Sequence, residues 1–304
     1  MLETVRNAFK LKEIRSRIIY TLLMLVVVRI GTQLPVPGVN GSYFSEWFSG
    51  NSGSAFGFFD AITGGSFEKM SVFALNITPY ITSSIIIQLL TIAIPKLEEL
   101  QKDGEEGRKK MTAITRYLTV ALALMESLAM AIGFGRSGLL IKFNALNVIT
   151  AVVTLTAGST VIMWIGERIT ENGVGNGISI VLTINIISRI PQDLTLLFEQ
   201  FVKGKEIAFK VLNLAIIIAI IIIVTVLTVA LQGAERRIPV QYSRKVQGRK
   251  QVGGQTSHIP LKVNTAGVIP IIFAQSLFMF PLIIMQLLGK SGGNGIGGTI
   301  LKML

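Results

Sequence analysis

Few residues in this sequence are of a type that does chemistry, and they fall in three settings. Glu98, Glu99, Glu105 and Glu106 form carboxylate pairs, the raw material of general acid–base work. They share their stretch with Lys96, Lys102, Arg108, Lys109 and Lys110, so they read as a solvated, charged loop. Glu126 interrupts an apolar run at 112–134. An ionisable side chain there marks either a functional position or a carboxylate paired with a neighbouring helix. Asp60, Glu68 and Lys69 sit among Gly57, Gly64 and Gly65 in a half-polar stretch at 57–69. The chain has no cysteine and one histidine, His258. Disulfides, thiolate chemistry and a histidine-based metal cluster within the chain are therefore excluded. No GxxxxGK[ST], HExxH or GxSxG motif occurs, so no nucleotide site, cofactor or enzyme constellation is expected.

The elements that carry these residues are apolar. Half of the residues are apolar and 15% are charged, against roughly 25% in an average soluble protein. The mean hydropathy is +0.61, and a bilayer is the natural solvent for such a chain. A spanning helix needs about 20 mostly apolar residues. Seven such runs are read at 18–34, 72–94, 112–134, 147–166, 177–190, 209–231 and 265–288, the fifth extendable to Phe198. The stretch 57–69 is too short and too polar to span and reads as a re-entrant helix, an arrangement tolerated only where protein or water surrounds it. No small-residue cleavage site follows the first run, so no cleavable signal peptide is expected.

The net charge of +12 suits nucleic acid or an anionic membrane surface, and its placement between apolar runs favours the membrane. Alternating the spans puts nineteen Lys and Arg on the side of the N-terminus and nine on the other, with Arg29 inside the first run. The positive-inside rule then makes the N-terminus cytoplasmic, which argues against a G-protein-coupled receptor. The seventh run has no lysine before Lys290, which argues against a rhodopsin-like pump. Ile81 and Ile85 lie four residues apart, on one helical face; from periodicity alone they are packing or lipid-facing residues.

Several motifs, in order, carry a resemblance. "RIGTQLPVPGVN" at 29–40, "FFDAITGGSFEKMS" at 58–71 and "ALNITPYITSSIIIQLLT" at 74–91 are followed by "GERITENGVGNGIS" at 166–179. Then come "ERRIPVQYSRKVQGRK" at 235–250 and "HIPLKVNTAGVIPIIFAQS" at 258–276. Over essentially its whole length the sequence resembles the bacterial type of the SecY family, the large subunits of Sec protein-conducting channels. The resemblance implies an all-α, polytopic transmembrane bundle with a short re-entrant plug helix. It implies ten spans in two inverted halves of five, of which seven are read here. The expected organisation is a cytoplasmic N-terminus at 1–17, a first five-helix half at 18–198, and the start of the second half at 199–304 with a basic cytoplasmic loop at 233–263. On that reading the chain stops after the seventh helix, and the eighth to tenth helices, with the tenth's share of the pore, lie beyond it.

The resemblance also assigns residues. Ile81, Ile85, Ile186, Ile272 and Ser276 match a mid-membrane pore ring. Branched apolar side chains in such a ring exclude ions by dewetting and offer a passing peptide no fixed partners. Phe58, Phe59, Asp60, Gly64, Gly65 and Ser66 match the plug, with the glycine pair as a hinge. Ile86, Glu126 and Phe280 match the lateral gate between the second and seventh helices; Ile86 and Phe280 are apolar, so a multi-residue polar gate cluster is not expected. Arg236, Arg237, Arg244, Arg249 and Lys250 match contacts for the ribosome or the SecA motor, besides attracting anionic lipid at about 1 kcal/mol per basic residue. The implied partners are SecE and SecG subunits, SecA or the ribosome, a signal peptide or nascent chain, and membrane lipid. The implied location is the plasma membrane of a bacterium. Two rival readings remain. A secondary transporter would want charged or polar ligands at mid-membrane, and a membrane-embedded scaffold would have no conduit of its own.

Overall fold

A computed structural model describes residues 10–43, 46, 55–135, 138–203, 207–240, 245–247, 250–252, 257–265, 267 and 274. Its helices are α1 (Lys12–Gly31), α2 (Ala55–Thr63), α3 (Thr78–Ala93), α4 (Pro95–Lys102), α5 (Gly104–Gly133), α6 (Ala145–Asn172), α7 (Gly177–Phe201) and α8 (Ile207–Gly233). Among the described residues, α5, α6, α7 and α8 are long and apolar enough to cross a membrane, and α3 with α4 makes a fifth if that pair, bent by 106°, is one span. α1 carries Arg15, Arg17 and Arg29 and is not in that group, although Ile19, Leu22, Leu23, Val26, Val27 and Ile30 form an exposed apolar surface on it. The seventh expected span, 265–288, lies outside the described residues but for its first residue and two others.

The chain divides into two compact units, Met1–Pro191 with Phe273–Leu304, and Gln192–Ile272. In the first unit α5 packs on α3, α4 and α6, and α1 packs on α6. The chain reverses at α4, where Pro95 opens the helix and Glu98 and Lys102 occupy its first and last turns, each favourable to the helix dipole. α5 then runs back along α3. The Ser83 hydroxyl donates to the Thr115 carbonyl at 2.8 Å, while Ala123 and Met130 share a buried cluster with Met70, Ala74 and Leu75. Hydroxyls hold α5 to α6, with Ser127 and Thr156 2.9 Å apart. Such small polar pairs are the usual adhesive between helices that gain nothing from burying one apolar surface against another in lipid.

One end of this unit gathers the start of α1, the α3–α5 reversal and the α6–α7 turn. Arg17 donates to the Gly173 carbonyl at 3.3 Å, Val174 N–H donates to Thr21 Oγ1 at 3.1 Å, and Arg116 pairs with Glu167 at 2.8 Å. The other end gathers the segments after α1 and α5, joined by backbone bonds such as Asn40 N–H to Leu139 O at 2.7 Å.

The second unit holds α8 and a β-ribbon. α8 is apolar all round and none of its membrane-length window is buried, so hydrocarbon or another apolar surface must cover it. The stretch expected as a basic loop is folded. β1 (Glu235–Val240) and β4 (Ser257–Lys262) pair antiparallel from Glu235↔Lys262 to Val240↔Ser257, and β2 (Lys245–Gln247) pairs with β3 (Lys250–Val252). The all-α expectation therefore holds for the spans and not for this ribbon. Pro239 and Pro260 lie within the paired strands, where a missing N–H limits further pairing along an edge.

Two expected boundaries move. The second span, read from 72, becomes helical only at Thr78, and the re-entrant helix read at 57–69 occupies Ala55–Thr63, with turns after it. Both changes have one cause. The chain between them lies against α6 so closely that a Cβ on Gly158 would sit 2.0 Å from the Val72 carbonyl oxygen, and no side chain fits there. Gly158→Ala is expected to lower stability by roughly 1–3 kcal/mol through overpacking. Gly233→Ala, at a position with nothing within 4 Å, is expected to change it little. Thermal unfolding of the detergent-solubilised protein distinguishes the two.

Candidate functional site

The half-polar segment and the residues after it fold into the interior of the first unit. Phe59 and Phe67 pack edge to face with ring centroids 5.0 Å apart, joining the segment to the buried cluster of Met70, Leu75, Met130 and Leu155. Between these apolar anchors the backbone turns sharply. Gly64 and Gly65 have φ of 70° and 80°, and Met70 and Asn76 reach 43° and 51°, a region in which asparagine is far commoner than methionine. A Cβ on Gly64 would lie 2.6 Å from the Asn185 carbonyl oxygen. The glycine turn is therefore seated directly on the backbone of α7.

Asp60 is fully buried, and its charge has three claims on it. Arg189 of α7 forms an ion pair with its Oδ2, Glu68 N–H donates to its Oδ1 at 2.8 Å, and Thr63 Oγ1 lies 3.5 Å from the same atom. A buried carboxylate is tolerable only with such compensation. Near by, Asn76 joins three elements. Its Oδ1 accepts from Ile77 N–H at 2.8 Å and from Asn185 Nδ2 at 3.2 Å, and its carbonyl accepts from Ser159 Oγ at 3.1 Å. It thus ties the residue that opens α3 to α6 and α7.

Of the residues matched to a pore ring, Ile81 of α3 packs on the cluster formed by Val28, Phe73, Ile77, Ile162, Ile165, Ile169 and Val181, which spans α1, the segment before α3, α6 and α7. Ile85 is half-buried one turn further along α3. Ile186 on α7 is 47% exposed, next to the buried Asn185. Ile272 and Ser276 lie outside the described residues, so the structure brings the helices of three of the five into one fold and leaves the ring as a whole untested. Of the plug residues, Phe59, Asp60, Gly64, Gly65 and Ser66 are buried together, and Phe58 belongs to α2 by its backbone.

The gate residues are placed apart. Ile86 is half-buried on α3. Glu126, half-buried on α5, lies eleven residues past Thr115, or roughly 16 Å along the helix, and among the described residues it makes no hydrogen bond or ion pair. Phe280 lies outside the described residues. In the ribbon, Arg236 and Arg237 are exposed and successive on β1, so they point to opposite faces. Lys250 is on β3, and Arg244 and Arg249 lie outside the described residues. At the basic end of the first unit, the hydrogen bond and charge of Lys102 hold the Glu98 carboxyl below the usual carboxylate range. Arg29 keeps a buried Nη1 unpartnered among the described residues, and its side chain, with Leu22, Val26, Gln33 and Ile184, helps to line an open pocket of about 800 Å³.

Three residues of this site escape a reading by motif and hydropathy. Asn76, Asn185 and Arg189 sit in or beside apolar runs, and Arg189 counts there only as one more basic residue. The available signal was pairing, since a lone cation late in one apolar run and a lone acid in a short half-polar helix are each too costly to bury singly.

The arrangement has no metal-ligand set among the described residues. It is a short, glycine-hinged segment held in a packed interior by polar contacts. A SecY family model matches residues 71–304. The chain is similar to the protein translocase subunit SecY of Streptomyces scabiei, 42% identical over 307 residues covering 96% of this chain and 69% of the relative. It is similar to that of Halalkalibacterium halodurans, 41% identical over 295 residues with coverage of 95% and 68%. For the Escherichia coli K12 subunit the identity is 40% over 289 residues, with coverage of 94% and 64%. A solved protein-conducting channel superposes with a TM-score of 0.62 at 20% identity, covering 93% of this chain and 62% of that one. Sec61 of a canine ribosome–channel complex from the endoplasmic reticulum superposes at 0.60, with the same identity and coverage. These likenesses establish the fold. The chain spans about two thirds of the length of its curated relatives, and less of the solved chains.

Asn76→Ala is expected to remove the hydrogen bonds to Asn185 and to Ile77 N–H and to lower stability by roughly 1–3 kcal/mol. Asn76→Gly recovers only the part due to positive φ. Unfolding titrations of the purified protein in detergent measure both.

Proposed function

Because this chain belongs to the SecY family of protein translocase subunits, we propose that it forms the central part of a channel that passes unfolded secretory polypeptides across the membrane and releases transmembrane segments sideways into lipid. The observation that carries this reading is the seat of the 57–69 segment. It folds back into the interior against α7, directly ahead of the helix that bears Ile81 and Ile85, as a plug over an apolar constriction would. The constriction is the ring of Ile81, Ile85 and Ile186, completed by Ile272, Ser276 and a helix beyond the seventh. Side chains of this kind hold no water column and no ion, yet yield around a peptide of any sequence.

Glu126 on α5 and Ile86 on α3, with Phe280, are the positions matched to the lateral gate. Glu126 gives that path a polar point in an otherwise apolar wall. Arg236, Arg237 and Lys250, which belong to the ribbon, together with Arg244 and Arg249 are the residues matched to docking of a ribosome or the SecA motor, arginine forks suiting RNA phosphate and acidic protein surfaces alike. The chain performs no catalysis, so the energy for transport comes from that partner. SecE and SecG complete the assembly in the cytoplasmic membrane of a bacterium, with the N-terminus, the α3–α5 reversal and the ribbon on the cytoplasmic side.

Photo-crosslinking in the full-length protein tests the conduit. With a stalled secretory chain, SecE and a driving partner present, probes at Ile81, Ile186 and Ile272 are expected to crosslink to that chain. A probe at the exposed Ile218 of α8 is expected not to. Silence at all three ring positions would move a transporter or scaffold reading ahead.

A further inference from the structure

We propose that Asp60 and Arg189 form a latch that holds the plug closed, with Arg189 the residue that positions it and separation of the pair the step that frees it. The proposal deepens the channel reading and rests on it. Four observations converge on it. The Asp60 side chain is wholly buried and that of Arg189 is 15% exposed, and the two are in direct contact. Asp60 belongs to α2, the short helix, whereas Arg189 belongs to α7, a helix long enough to span. The Gly64 turn rests on the Asn185 carbonyl, four residues before Arg189 and on the same face of α7. The contacts on α7 thus lie in one stripe, glycine turn first and ion pair next. Finally, the Glu68 and Thr63 contacts of Asp60 are internal to its own segment, so it is the Arg189 contact that ties this carboxylate to a long helix.

The physics makes such a pair a switch rather than a permanent joint. Two charges in a dry interior are bound strongly to one another and cannot part without water. A polypeptide entering the vestibule brings water with it, and hydration lowers the cost of parting them. The internal hydrogen bonds of Asp60 travel with the plug, so the freed carboxylate stays partly satisfied. Arg189 remains on the rim of α7 with its charge turned to the opened space. Neutralising Arg189 leaves the Asp60 carboxylate buried without its cation, and neutralising Asp60 removes the anion by which α7 holds the plug; either change favours the open, hydrated state. Neutralising both removes the charge that demands water.

The exposed Lys69 donates to Gln33 at 2.9 Å in the docked plug, and the chain has no cysteine. A K69C/Q33C pair, joined by a bis-maleimide crosslinker long enough to replace the two removed side chains, therefore reports docking by crosslinking yield, without reference to transport. In full-length protein in proteoliposomes with its partner subunits, Arg189→Gln and Asp60→Asn are each expected to lower that yield at least fivefold. The double variant Asp60→Asn/Arg189→Gln is expected to recover most of it, and Arg189→Lys to keep it. Unchanged docking in either single variant overturns the latch. So does a double variant no better docked than the singles. If both single variants fail to insert stably while the double does, the pair is a folding element and the proposal also falls. Lost docking with no rise in ion conductance or peptide passage keeps the latch and rejects the channel reading on which it was framed.

Discussion

Irregular backbone packed among membrane-length helices is the constraint on which this structure turns. Between the end of α2 and the start of α3 the chain makes turns where hydropathy alone calls for helix, and no water in hydrocarbon satisfies the groups this exposes. The turns there are satisfied from within. Gly65 N–H reaches the Asp60 carbonyl at 3.1 Å, Ser71 N–H the Ser66 carbonyl at 3.0 Å, and Val72 N–H the Leu34 carbonyl at 2.8 Å, while the Met70 carbonyl accepts from Val36 N–H at 3.0 Å. Asn76 and Ser159 complete the set. The segment after α1 is therefore part of the site, because it supplies the strand-like partner that the irregular segment needs.

That requirement fixes the sequence at several distant points. Backbone approaching backbone leaves no room for side chains, hence Gly158 on α6 and Gly64 in the turn. Gly31 is under the same pressure, since a Cβ there would meet the ring of Phe73 at 2.0 Å. Positive φ at Asn76 needs a residue that tolerates the left-handed region, and asparagine also brings an amide that reaches Asn185. Polar residues that look misplaced in an apolar protein are thus the means by which a non-helical segment is carried among membrane-length helices.

Much of the fold was legible because a run of apolar residues long enough to span has few alternatives. The runs at 112–134, 147–166, 177–190 and 209–231 each fall on one described helix, give or take a terminal residue. Hydropathy reports the part of a helix that lipid can hold, not its length. α5 therefore begins at Gly104, ahead of the apolar run, through Glu105, Glu106, Arg108, Lys109 and Lys110, which are good helix formers. The stretch 72–77 failed in the opposite sense, being apolar enough for a span yet held irregular by partners far away in sequence. The ribbon was hidden by its charge, although ERRIPV and SHIPLK, each with a proline, are poor helices. The residues of the expected ring and plug came from motif resemblance. Arg189 came from neither source, because its meaning lies wholly in what it faces.

The site divides its labour between two kinds of interaction, and the division follows from what a conduit must do. A path that accepts many sequences must not offer fixed hydrogen-bond partners, so the positions on α3 and α7 matched to it are isoleucine. Closure, by contrast, needs a single defined state, and apolar packing alone specifies position loosely because many arrangements bury similar area. A buried polar contact is different, since only one geometry satisfies it and every other leaves a charge or an amide exposed to hydrocarbon. Asp60 with Arg189, and Asn76 with Asn185, supply that specificity on the helix that also presents Ile186. One face of α7 thus carries the polar contacts that seat the 57–69 segment, and the exposed Ile186 lies next to them. Because both lie within about one turn of the same helix, a shift of α7 that disturbs one must disturb the other.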